Sequence, residues 1–276
     1  MPETDPQFRE NLIQKTLLSA KYRSLELPRD LLEDILMQEA KFARNKAALE
    51  KRFREKLHQI VAPYLEEMDC TAEITNLRVF SAANPSQSEW KAYSLEIMAK
   101  HASSRERLPN IQEFASALNP YVAKAQKVLD LAAGLDPLML PWLDLSAKPV
   151  FEAYDLQKPR VDYLNAFFTA FYSPGRAFLQ DILANPPQEK ADLAFFFKEA
   201  HRFEKRLPGS NRQFFQNLPA QILLVSLPAK DLAGRHSLAD YHRRILHEAT
   251  TGLPWSVSET QIREELLFCI DKGEIA

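Results

Sequence analysis

Two hydropathy regimes divide the chain. Up to about residue 100, apolar positions recur every three or four residues, the spacing of an amphipathic helix. The stretch LPRDLLEDILMQEAKFARNKAALEKRFREKLHQIVAPYL carries this pattern most clearly, and helices are predicted near 8–20, 29–39, 41–61 and 88–100. At about 100° per residue, Phe42, Leu49, Phe53, Leu57 and Ile60 share one face, and Lys41, Arg44, Lys51, Arg52 and Lys56 share the face beside it. SAANPSQSEW, residues 81–90, has the composition of a loop. Beyond residue 110 short apolar runs alternate with helical ones. A helix at 110–124 leads into the strand KVLDL (127–131), and further strands are predicted at 148–156, 175–183, 191–198 and 220–228. Helical runs near 158–172, 201–206 and 210–217 separate them, and the tail PWSVSETQIREELLFCIDK reads as a hairpin. Fully apolar strands alternating with helices imply an α/β architecture, a mostly parallel sheet covered on both faces.

Composition narrows the class without choosing a function. Hydrophobic residues make up 46% and charged residues 26% of 276 positions, as in ordinary globular proteins. No apolar run approaches the roughly 20 residues of a membrane span, and the polar start MPETDPQFRENL does not resemble a signal peptide. Cys70 and Cys269 match no disulfide or metal spacing, so a reducing cytoplasm is expected. His242 and His247 lack partners at ligand spacing, and no metal site is expected. The net charge of −2 hides two basic patches. Residues 41–58 hold seven Lys or Arg against two Glu, and residues 196–247 hold nine against four acids. Such patches are either solvated helix faces or surfaces for a phosphate backbone.

The candidate chemistry lies at the strand ends, where doubly wound sheets collect ligands. Asp130 and Gly134 follow the first strand, Asp155 ends the second and Asp181 ends the third. Asp155 stands 21 residues beyond Gly134, where an acid can meet ribose hydroxyls. Asp181, after Gln180, can reach an adenine amino group. Singly, each aspartate serves equally as a cap of the next helix; after three successive strands, together, they favour a nucleoside site. There is no GxGxxG or GxxxxGK[ST], and only six glycines in all, which disfavours dinucleotides and nucleoside triphosphates. S-adenosylmethionine carries no phosphate, so one glycine suffices for it. Its carboxylate needs a cation or donor cluster. HASSRERL (101–108) offers Ser103, Ser104, Arg105 and Arg107, though the same segment also reads as a salt-bridged helix start capped by Ser104.

Seven segments in consistent order resemble the Arm/Rmt-type 16S rRNA methyltransferases, which methylate N7 of guanine 1405 and confer aminoglycoside resistance. They are LLSAKYRSL (17–25), KLHQIVAPY (56–64), KHASSRERL (100–108), VLDLAAGLDPL (128–138), FLQDILANPP (178–187), DLAFFFK (192–198) and VSLPAKDLAGR (225–235). The resemblance implies a class I, Rossmann-like domain with a mostly parallel seven-stranded sheet over 106–276, using S-adenosyl-L-methionine. It also implies a helical region over 1–105 that docks on the decoding region, helix 44, of the 30S subunit. Carried over position by position, Tyr64, His101, Ala102, Ser103 and Arg107 border the methionine end of the cofactor. Gly134 lies against its backbone, Asp155 holds the ribose, Asp181 and Ile182 meet the adenine, and Phe197 forms a wall. Guanine N7 has a free lone pair, so no catalytic acid or base is expected. Lys21, Arg44, Lys51, Arg52, Arg54, Lys198, Lys230 and Arg235 are candidates for contacting rRNA, with solvated surface as the alternative for each. A cytoplasmic monomer is expected. Other readings are a methyltransferase for another rRNA position and an idle RNA-binding homologue. Departures mark a divergent member: GLDP places Asp136 where the family has asparagine, Ala133 replaces a cysteine, and the linker around Trp90 is longer.

Overall fold

The computed structural model describes residues 5–62, 68–230 and 236–273. Five helices come first: α1 Pro6–Leu17, α2 Arg29–Ala40, α3 Lys46–Val61, α4 Cys70–Ala82 and α5 Gln87–Met98. Helix α3 starts five residues later than the periodicity predicts. The Asn45 side chain accepts a hydrogen bond from the Ala48 amide at 2.9 Å and caps the helix there. Lys41, Phe42 and Arg44 therefore precede the helix instead of continuing its faces, and Phe42 is exposed. Two predictions near residue 80 also change. Helix α4 went unpredicted because Leu77 is its only fully buried residue, so it shows no apolar stripe. The 81–90 loop shrinks to a short turn, because Ser86 and Glu89 form a reciprocal capping box that starts α5.

Helices and strands alternate in the rest: α6 Ala102–Arg107, α7 Ile111–Val122, β1 Lys127–Leu131, β2 Val150–Asp155, α8 Lys158–Phe171 and β3 Gly175–Leu179, the last ending short of its predicted 175–183 so that Asp181 lies beyond it. There follow β4 Ala191–Phe197, α9 Ala200–Arg206, α10 Ser210–Asn217, β5 Ala220–Pro228, α11 Ala239–Thr250, β6 Ser256–Ile262 and β7 Glu265–Asp271. Helix α11 is not among the predicted elements, although His242, Ile245, Leu246 and Ala249 bury one face at helical spacing. The seven strands form one sheet in the order β3-β2-β1-β4-β5-β7-β6. All adjacent pairs from β3 to β5 are parallel, and β7 runs antiparallel to both of its neighbours. The order reverses between β1 and β4, which opens a crevice at their carboxyl ends.

Alternate strand residues feed cores on opposite faces. Val128 joins a cluster with α4, α5, α7 and α8, whereas Leu129 and Leu131 join one with α9, α10 and α11. Each fully buried leucine or phenylalanine contributes about 1.5–3 kcal/mol. A third core, from Leu12 to Val61, belongs to α1–α3 alone. The hydrophobic cores thus part between α3 and α4: the next two helices pack on the sheet. Gly175 opens β3 because an added Cβ would stand 1.9 Å from Cδ1 of the buried Phe168. Gly175→Ala is expected to lose about 1–3 kcal/mol, read as a lowered urea midpoint; an unchanged midpoint would show that Phe168 can yield.

Candidate functional site

The carboxyl ends of β1, β2, β3 and β4 border one cavity of about 650 Å³. His101, Gly134, Asp136, Asp155, Gln157, Arg160, Gln180, Asp181, Ile182, Phe197 and Lys198 line its sheet side. Leu27, Lys56, Gln59, Ile60 and Val61 close it from the N-terminal helices, and α9 supplies His201, Arg202 and Arg206. Sequence positions spread over 180 residues thus meet because parallel strands all end on the same edge.

The turn after β1 forms the floor. Ala132 and Gly134 both take positive φ, +56° and +55°, so the chain reverses sharply before the 3-10 turn Asp136–Trp142. Gly134 also meets a close neighbour: a Cβ there would stand 3.1 Å from Cε1 of His101. Its amide donates to Asp155 Oδ2 at 3.0 Å. Asp155 is buried and accepts three hydrogen bonds, the others coming from the Gln157 amide on Oδ1 (2.9 Å) and Arg160 Nη1 on Oδ2 (2.8 Å). One carboxylate therefore sets the glycine turn and the start of α8 together. Asp181, also buried, accepts from the Leu183 amide at 3.1 Å and holds the two terminal nitrogens of Arg206 at 2.8 and 2.5 Å. Ile182 beside it is buried, and Phe197 stacks on Phe195 with centroids 4.9 Å apart.

His101 sits at the N-terminus of α6, with Nδ1 3.1 Å from Ser104 Oγ. Ser104 lies inside this short helix and does not cap the one that follows. Burial first, then the charges of Arg160 and Lys198, depress the His101 pKa from 6.5 to about 3. The folded protein keeps this imidazole neutral, whereas an unfolded chain protonates it near 6.5. Its contribution to stability is complete above pH 6.5 and is lost as the pH falls towards about 3. Relative to a His101→Gln variant, the wild-type protein should lose stability across that window. Parallel pH–stability curves for the two proteins would contradict it.

Arg107 stands elsewhere than the direct cofactor contact expected of it. Its guanidinium is buried and does not line the cavity. It holds Glu265 by two bonds, at 2.7 and 3.2 Å, and Asp136 Oδ1 at 2.7 Å, and lies 4.1 Å from the centroid of the Phe114 ring. Burial disfavours its charge, but Glu265 and then Asp136 more than offset that. Burial pushes the Asp136 carboxyl up against the pull of Arg107; in Glu265 the pull of Arg107 and Lys198 wins over burial and holds the carboxyl down. Asp130 is buried behind this group with no hydrogen-bond partner among the described residues. Burial and the nearby Asp136 push it well up. Glu199, on the cavity wall, is likewise pushed well up, by burial and then by Asp155. Arg160, Arg206 and Glu199 line the cavity without being among the residues that the sequence predicts. Arg160 left a faint trace, five residues after Asp155 in the first turn of a helix; the contacts of Arg206 span 25 and 172 residues and left none.

The remaining candidates scatter. Tyr64 and Arg235 lie outside the described residues, as do the side chains of Ala102 and Ser103. Lys198 is buried on the cavity wall, takes φ +56° and donates to Glu106 at 2.7 Å. Lys230 is exposed beside Glu264, at 3.0 Å. The cationic face near α3 is partly neutralised: Arg52 pairs with Glu39 at 2.7 Å and Arg54 with Glu50 at 2.5 Å. Lys51 reaches Glu55 at 3.9 Å, while Lys21 and Arg44 are exposed without a carboxylate partner among the described residues. Lys15, Lys21, Arg54 and His58 share a second, shallower concavity. Among the described residues no cluster of three metal-ligating side chains occurs, and no helix is long and apolar enough to cross a membrane.

Known proteins resemble this chain in sequence and fold. The chain is 29% identical over 263 residues to a 16S rRNA (guanine(1405)-N(7))-methyltransferase of Serratia marcescens, covering 93% of this chain and 96% of the relative. It is 27% identical over 253 residues to one from Micromonospora olivasterospora, covering 91% and 84%. Among solved structures, an rRNA methylase from Escherichia coli superposes with a TM-score of 0.71 at 26% identity, over 96% of this chain and 100% of that one. The 16S rRNA methyltransferase RmtF, solved in complex with S-adenosyl-L-homocysteine, shares the fold with a TM-score of 0.75 at 24% identity, over 98% and 100%. A family model described as ribosomal RNA methyltransferase (FmrO) matches residues 18–270, nearly the whole chain, and the protein belongs to that family.

Proposed function

We propose that this protein transfers the methyl group of S-adenosylmethionine to N7 of guanine 1405 in the 16S rRNA of the 30S subunit, and so confers aminoglycoside resistance. The observation that carries this reading is the convergence of Gly134, Asp155 and Asp181 on one cavity, in a chain of this family. The residues present fit the cofactor. Gly134 supplies a wall that a side chain would fill, Asp155 faces the cavity as a ribose acceptor, and Asp181 with Ile182 suits an adenine. When bound, S-adenosylmethionine supplies an electrophilic methyl group on a positive sulfur.

The chain's own contribution is placement. Guanine N7 carries an available lone pair, so no side chain has to remove a proton, and the gain comes from alignment at near-attack distance. A paired base must leave its helix to reach such a cavity. Phe197, His101 and the buried Lys198 line this cavity. A neutral His101 adds no positive charge beside the sulfur, and Asp136, where the family resemblance implies asparagine, adds negative charge that Arg107 balances.

Helices α1–α3, with their own core, are the proposed docking region for the decoding site around helix 44, and the protein is proposed to act as a cytoplasmic monomer. Lys21 and Arg44 are the best-placed cations, because neither is neutralised by a carboxylate among the described residues. Reversing both to glutamate should weaken 30S binding at least about tenfold, from two lost phosphate contacts. Affinity for S-adenosylhomocysteine should stay unchanged; undiminished subunit binding would move the docking surface elsewhere. Transfer of label from S-adenosylmethionine to the 16S rRNA of 30S subunits tests the enzymatic reading. Cofactor binding without transfer would indicate an idle RNA-binding homologue instead.

A further inference from the structure

The adenine end of the cavity is wired to the N-terminal helices through one buried arginine. Arg206, the last residue of α9, grips both oxygens of Asp181, and its Nη2 also reaches Asp34 Oδ2 at 2.6 Å. Asp34 belongs to α2, whose neighbouring residues Ile35 and Leu36 are fully buried in the core of α1–α3. Gln38 donates to the same Asp34 oxygen at 2.8 Å and fixes it from within α2. A second tie lies alongside: Lys56 of α3 donates to the backbone carbonyl of Lys205 at 3.0 Å. The N-terminal core therefore holds the end of α9 at two adjacent residues.

The acceptor count on Asp181 shows what this wiring does. Each carboxylate oxygen offers two lone-pair sites. Oδ1 is filled by the Leu183 amide and Arg206 Nη1. Oδ2 takes only Arg206 Nη2 among the described residues, which leaves one site unfilled on this residue of the cavity wall. A purine 6-amino group is a donor suited to it. The guanidinium is a rigid planar fork, so its position dictates where that open site points. Asp34 shares the guanidinium, and the orientation of the adenine acceptor thus follows the seating of α2.

We propose that Arg206 is a positioning residue that aims Asp181 at the adenine amino group, and that Asp34 makes this aim depend on the N-terminal helices. Linkage is reciprocal: seating of the docking region strengthens adenosine binding, and adenosine binding steadies the docking region. The inference rests on the S-adenosylmethionine reading above.

Asp34→Ala tests it, since it removes the acceptor that Arg206 reaches and the residue lies outside the cavity lining. In the full chain, calorimetry with S-adenosylhomocysteine should show affinity reduced about fivefold or more. The analogue with hydrogen in place of the purine 6-amino group should bind wild type and variant within twofold of each other. Arg206→Lys, which keeps charge but loses the fork, should repeat the pattern. Hydrogen exchange supplies a second readout: S-adenosylhomocysteine should slow exchange in α2 of the wild type and not in Asp34→Ala. Equal losses for both ligands, or none for either, would overturn the relay while leaving the cofactor site intact. A wild-type protein that binds neither ligand would remove the cofactor reading, and the relay with it.

Discussion

Replacing Arg107 by alanine is expected to cost about 3–5 kcal/mol of folding stability, because it strands two buried carboxylates. Asp136 and Glu265 approach the same guanidinium at 2.7 Å, and all three side chains are buried. With the arginine gone, Lys198, 4.0 Å from Glu265 and already bound to Glu106, is a poor substitute. The lost stacking on Phe114 adds to the damage. Arg107→Lys keeps the charge but cannot fork onto Glu265, so an intermediate loss is expected. Asp136→Asn should cost far less, since the two bonds to Glu265 survive and the amide oxygen still accepts. Urea unfolding of the three variants checks the ranking. A stable Arg107→Ala protein that has lost only cofactor affinity would restore Arg107 to the direct contact that the family resemblance implied.

The second large effect is expected at Asp155. Asp155→Ala removes the acceptor for the Gly134 amide, the Gln157 amide and Arg160 at once. It also deletes the proposed partner of the ribose hydroxyls. Hydrogen bonds to a charged group are worth about 1.5–3 kcal/mol each. The three bonds leave Asp155 one acceptor site, on Oδ1, so loss of one bond to a ribose implies at least about tenfold weaker binding of S-adenosylhomocysteine. Asp155→Asn keeps the shape and should lose less. Calorimetry measures both; affinity within threefold of wild type for Asp155→Ala would place the ribose elsewhere.

Most of the fold was legible because its signals are local. Parallel strands buried on both faces leave unbroken apolar runs such as LAFFF and ILLV, and β1 and β5 match their predicted bounds. Helix α4 was invisible for the opposite reason, a surface helix with one fully buried side chain. In the site, Gly134, Asp155 and Asp181 are legible because each stands at or just past a strand end, and strand ends converge. The role of Arg107 was not. A cation near a binding motif looks alike in sequence whether it faces a ligand or is consumed by Glu265, 158 residues away. The same holds for Arg52 and Arg54, whose charges are met by Glu39 and Glu50. Pairing is a tertiary property, and charge counts along a helix do not contain it.

The measurement that bears most directly on the central claim is position mapping on the ribosome. 30S subunits incubated with the protein and S-adenosylmethionine, then reduced and cleaved at N7-methylguanine, should give a primer-extension stop at guanine 1405. The stop should vanish when S-adenosylmethionine is omitted. A stop at a different nucleotide, or none from protein that binds the cofactor, would contradict the account.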